Sequence, residues 1–116
     1  MPKNEAKKSL LGFLGLCRKA GALVCGTPMI CSALPDGGIF AVYEANDTSE
    51  GTHKKLTDKC TYYGVRRVVL NVGGETLAAA VGKTGFLAAV AVKNASLAEL
   101  CEKAYESDSV GEKSKT

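Results

Sequence analysis

Tryptophan is missing from this chain of 116 residues, histidine occurs once, as His53, and no two cysteines form a Cys-x-x-Cys pair. Each gap removes a class of chemistry. One histidine with no carboxylate cluster beside it leaves no metal-ligand constellation and no nucleophile with a base at hand. Neither a metal nor a cofactor is therefore expected, and no residue is read as catalytic. The cysteines, Cys17, Cys25, Cys31, Cys60 and Cys101, are odd in number and irregular in spacing. That disfavours a disulfide framework and suits reduced thiols in a cytoplasmic protein. No apolar run reaches bilayer-spanning length, because Gly12 and Gly15 interrupt the first and Lys83, Thr84 and Gly85 precede the last. Lys3, Lys7 and Lys8 before a short apolar run imitate a signal peptide, but the run keeps helical spacing into Arg18 and Lys19 and is read as a first helix. No membrane partner is expected.

What is present suits one globular domain: 46% of residues are apolar and 23% charged, over a length that allows a single core. The net charge of +3 is small but uneven. Lys3, Lys7, Lys8, Arg18 and Lys19 oppose only Glu5 in residues 1–35, and Lys54, Lys55, Lys59, Arg66 and Arg67 oppose only Asp58 in residues 53–67. Such segments suit an anionic partner, nucleic acid foremost.

Along the chain, Leu10, Phe13, Leu14 and Cys17 recur at helical spacing and form the buried stripe of a helix over about residues 3–20. Its other face, with Lys8, Gly12, Gly15, Arg18 and Lys19, is basic and low in bulk. That face either admits a ligand closely or packs on another element through its glycines. Leu23-Val24 suggests a short strand, and Gly26-Thr27-Pro28-Met29 opens a second helix. Gly26 allows a positive-φ entry, the Thr27 hydroxyl can cap, and Pro28 suits the first turn. After the turn Pro35-Asp36-Gly37-Gly38, residues 39–43 read as a strand covered on both faces and ended by Glu44. Asp47 and Glu50 form a capping box for a helix over 49–63, with Thr52, Leu56, Cys60 and Tyr63 inward. Residues 65–72 are a strand whose Arg66 and Arg67 must find solvent or a ligand, a short helix covers 75–81, and 86–92 are the fourth strand. Ser96 and Glu99 cap a last helix that docks Leu97, Leu100, Cys101 and Ala104. This alternation predicts an α/β fold: a three-layer α/β/α sandwich with a small, roughly four-stranded mixed sheet, occupying residues 1–106. Residues 107–116 read as a disordered polar tail.

Gly82-Lys83-Thr84 imitates the end of a phosphate-binding loop, but Leu77 stands where the first glycine belongs, and the tripeptide follows a helix. Cys60 lies on a core stripe; Cys25, beside a helix start that could lower its pKa, lacks a base partner. What remains is binding. Lys83-Thr84-Gly85-Phe86 offers a cation, a hydroxyl, exposed backbone and an aromatic ring, a mixture suited to phosphates and unstacked bases. The alternative is a helix-to-strand turn with Phe86 as the first core residue of the strand.

Several motifs follow one another in a familiar order: Leu14 to Gly21, Leu23-Val24 and Gly26; Asp47, Ser49, Glu50, Thr52, Lys54-Lys55, Asp58-Lys59-Cys60 and Tyr62-Tyr63; then Leu77, Gly82-Lys83 and the closing apolar strand. Over roughly residues 8 to 105 they resemble the ribosomal protein seven-Ae and thirty-e superfamily, more closely its small bacterial YlxQ-type branch. The resemblance implies a non-enzymatic RNA-binding protein with structured or ribosomal RNA, and ribosomal or other proteins, as partners. In typical kink-turn binders of this family the second helix starts with glycine, a variable residue, asparagine and glutamate, followed by a lysine. Here Gly26 and Thr27 match the first two positions, while Pro28, Met29 and Ser32 replace the three polar side chains that read guanine edges. Standard kink-turn specificity is not implied. The interface expected from the match comprises Gly26, Thr27, Pro28, Met29, Lys83, Thr84, Gly85 and Phe86, with Arg18, Lys19, Lys54 and Lys55 supplying electrostatics. A module that keeps the scaffold for protein assembly and has lost RNA recognition is the competing expectation.

Overall fold

The computed structural model describes the backbone of residues 2–115 and the side chains of residues 10–107. Of the expected polar tail, only Ser107 has its side chain within that range.

Leu10, Leu14 and Cys17 recur on one side of helix α1, Pro2–Lys19, and all three are buried, as their spacing dictates. Strand β1, Leu23–Cys25, leads through Gly26 into helix α2, Thr27–Ala33, and a 3-10 turn, Leu34–Asp36. Strand β2, Ala41–Glu44, precedes helix α3, Glu50–Tyr63, and strand β3, Arg67–Val69. Helix α4, Gly74–Ala80, strand β4, Ala89–Val92, and helix α5, Ala95–Lys115, complete the chain.

The four strands form one mixed sheet in the order β1-β4-β2-β3. β2 and β3 run parallel, joined across α3, and β4 lies antiparallel to both its neighbours. Period-two alternation then builds two cores. Tyr43, Val68, Val90 and Val92 face α1, α4 and α5, where they meet Leu14, Leu77 and Cys101. Val42, Ala89 and Ala91 face α2 and α3, where they meet Ile30, Leu34, Leu56 and Cys60. The expected three-layer sandwich and its four-stranded mixed sheet are what these contacts make.

The differences lie at element ends. Glu44 ends its strand from within, as the last residue of β2, and is 1% exposed because it has charged partners described below. Ser49, not Asp47, caps α3: its Oγ accepts from the amide of Thr52, while Asp47 Oδ1 accepts from the amide of Gly74. Asn94, not Ser96, opens α5, its Oδ1 accepting from the amide of Leu97. Register then turns Ala98, Cys101 and Ala104 inward and leaves Leu100 exposed. The fourth strand begins three residues later than expected, since Gly85 takes a φ of +88° and the amide of Leu87 donates to the carbonyl of Gly74. The third strand is likewise shortened to the part that pairs with β2.

Candidate nucleic-acid interface

Because β4 runs against its neighbours, the carboxyl ends of β1, β2 and β3 and the amino end of β4 meet at one edge. Ala89 marks the place: it pairs with Glu44 on one side, and its carbonyl accepts from the amide of Gly26 at 3.0 Å on the other. The connections into α2, α3, α4 and β4 therefore cluster there. Open α/β sheets bind ligands outside such strand ends.

Gly26 is the N-cap of α2 at φ 96° and ψ 143°, a conformation costly for any residue with a Cβ. It takes the capping place expected of Thr27, whose hydroxyl makes no cap hydrogen bond and is buried without a partner. Pro28 occupies the first turn and is exposed, as is Met29, at 62%. Lys83, Thr84, Gly85 and Phe86 are all exposed. Phe86 is not the first core residue of a strand; it is 52% exposed, with one side of its ring seated on Gly74. A Cβ at Gly74 would lie 2.3 Å from the ring, so the seat exists only because that position has no side chain.

Arg18 joins this cluster. Its Nη1 donates to the carbonyl of Val81 at 2.6 Å, capping the end of α4, and it lies beside Gly82. Burial pushes the Cys25 thiol up, while the nearby charges of Lys83 and Arg18 pull it down. The net shift is upward, because desolvation outweighs both cations, so the helix start does not lower the Cys25 pKa.

Lys19 is exposed in the last turn of α1 and lines, with Gly12, Gly15, Arg18, Ala80 and Gly82, an open groove of about 380 Å³ between α1 and α4. Gly15 packs tightly here, since a Cβ would meet the Ala80 carbonyl oxygen at 2.7 Å, whereas Gly12 faces open space. Lys54 and Lys55 lie on the exposed side of α3, where Lys54 is paired with Asp58 at 3.0 Å.

Three features were not legible as site elements: Gly74, Asp47, and a network around Glu44. The Glu44 carboxylate accepts from Arg67 Nη1 at 2.7 Å on one oxygen, and meets His53 Nδ1 at 2.7 Å and Thr48 Oγ1 at 2.8 Å on the other. Arg66 and Arg67, expected to seek solvent or a ligand, are thus both held by carboxylates, Arg66 by Glu102 at 2.7 Å. An acidic residue closing an apolar run was the available signal. Among the described residues no three histidine, cysteine or acidic side chains cluster as metal ligands, and no helix is long and apolar enough to cross a membrane.

No family model matches the chain. An RNA-binding protein YlxQ from Enterococcus faecium is 35% identical over 63 residues, which is 53% of this chain and 61% of that protein. One from Bacillus subtilis is 36% identical over 53 residues, 46% of this chain and 53% of that protein. The chain thus spans between half and three-fifths of the length of these curated relatives. A structure of a Bacillus halodurans protein of unknown function superposes with a TM-score of 0.71 at 31% identity, covering 80% of this chain and 96% of that one. A Giardia lamblia 15.5 kD RNA-binding protein shares the fold, with a TM-score of 0.72 at 16% identity over 92% of this chain and 90% of its own. The chain is thus similar in sequence to YlxQ-type RNA-binding proteins over about half its length, and its fold is that of the Bacillus halodurans and Giardia lamblia proteins.

Proposed function

We propose that this protein is a non-enzymatic, cytoplasmic RNA-binding protein that contacts structured or ribosomal RNA through the strand-end edge. The reading is supported by the Gly26–Met29 entrance beside Ala89 at that edge, by the exposed Lys83–Phe86 loop that leads toward β4, and by the Arg18 guanidinium against Val81 and Gly82 at the start of that loop. Backbone and cations at such an edge meet phosphates, and the open side of the Phe86 ring suits an unstacked base. Lys19, Lys54 and Lys55 add long-range attraction. Pro28 and Met29 provide no polar side chain for guanine edges, so the reading is of a general binder of folded RNA, without standard kink-turn specificity.

The test is titration with a kink-turn RNA, a control duplex and total ribosomal RNA at low and moderate salt. Salt-sensitive binding is expected, with a loss of about ten-fold or more in affinity over a four-fold rise in salt if several phosphates are neutralised. Replacing both Lys83 and Phe86 by alanine should weaken it further with the fold intact. Absence of salt-sensitive binding to all three RNAs would leave the scaffold as a protein-assembly module instead.

A further inference from the structure

His53 is the only histidine in the chain, and it stands in the first turn of α3, at the strand-end edge. Its Nδ1 is held at 2.7 Å by the carboxylate of Glu44, a side chain 1% exposed, whose other oxygen is held by Arg67. The imidazole itself is 49% exposed. A ring anchored through one nitrogen to a buried carboxylate, yet half open to solvent, presents its opposite edge outward in a fixed orientation. That edge carries Nε2. When the ring is neutral, Nδ1–H donates to Glu44 and Nε2 is an acceptor; when it is protonated, Nε2–H is a charged donor. Glu44 sits across Ala89 from Gly26, two strand spacings or about 10 Å away, so the ring lies beside the proposed interface.

We propose that His53, oriented by Glu44, is a phosphate-contacting residue of this interface whose protonation strengthens RNA binding. The inference rests on the RNA-binding reading and assigns it a proton-linked contact. Around the ring, Glu44 comes from β2, Arg67 from β3 through the shared carboxylate, and Glu50 and Lys54 from α3 itself. α2 contributes no charged residue, only Cys31, and the adjoining 3-10 turn carries Asp36. Pre-orientation reduces the entropy lost on contact.

The experiment measures affinity for a kink-turn RNA hairpin, and for an oligouridylate whose bases do not take up protons, between pH 8 and pH 5.5. One added phosphate contact gives wild-type protein about five-fold tighter binding at the lower pH in 0.1 M salt, and steepens the salt slope by about 0.7. His53→Gln, which keeps a donor for Glu44 but does not titrate, should bind at the wild-type high-pH level throughout. A wild-type affinity that ignores pH, or the same response in His53→Gln, overturns the proposal while the RNA-binding reading stands. No RNA binding at any pH removes that reading and the proposal together. Should the glutamine variant fail to fold, the imidazole resonances of the single histidine in wild-type protein decide: they shift when RNA is added if the ring is in contact, and unmoved resonances at saturation overturn it.

Discussion

Glu44 shows how the burial of a strand-ending residue goes unseen when its partners are remote in sequence. A carboxylate in an apolar run reads as a strand end, because burying an unpaired charge costs more than a strand position returns. Its partners, His53 and Arg67, lie nine and 23 residues away, and only the parallel pairing of β2 with β3 and the packing of α3 bring them together. A buried pair of this kind is most damaging when half removed. Arg67→Met should therefore cost about 3–5 kcal/mol, and Glu44→Leu added to it should recover much of the loss. Urea denaturation of the two variants measures both; wild-type stability in Arg67→Met would show that Arg67 does not compensate the Glu44 charge.

At the scale of elements, helix existence was legible from periodicity, as were Leu10, Leu14 and Cys17 or Leu56 and Cys60 on inner faces, whereas Tyr63 and Leu100, expected inward, are exposed. Caps were not. Asp47-Thr48-Ser49 offers three capping side chains in a row, and the choice of Ser49 follows from Asp47 being engaged by the Gly74 amide, a contact between two loops. The start of β4 was obscured in the same way, since Leu87 is diverted to Gly74. Gly74 thus organises the loop, and its substitution tests that role without altering any charge. In Gly74→Ala the new Cβ must evict the Phe86 ring. RNA affinity should fall to about the level of Phe86→Ala, read by direct titration, while the protein remains folded.

For the whole molecule, the alternation of helices and strands disclosed the layers, but not the order β1-β4-β2-β3, because insertion of the last strand between the first two is a long-range pairing. The two cores also differ. The side facing α1 and α5 holds Cys17 and Cys101 with sulfurs 3.9 Å apart, and burial pushes both thiols up, Cys101 to about 12. The sign follows from where protons are lost. Above the ordinary thiol range, at about pH 8.5, the unfolded chain ionises while the folded one holds its protons, so stability is full below that range and falls as pH rises toward 12. Urea midpoints between pH 7 and 10.5 should decline in wild-type protein and decline less in Cys101→Ala.

The contact of Phe86 with Gly74 has a wider meaning. A ring pressed against bare backbone, with Asp47 bonded to that same glycine's amide, ties two loops into a rigid ledge. On the proposed reading such a ledge does little adapting of its own, and a stiff double helix has no loose base to lay on it. The RNA must therefore arrive already bent or opened, and the protein would select its partners by how they are folded and hardly at all by their letters.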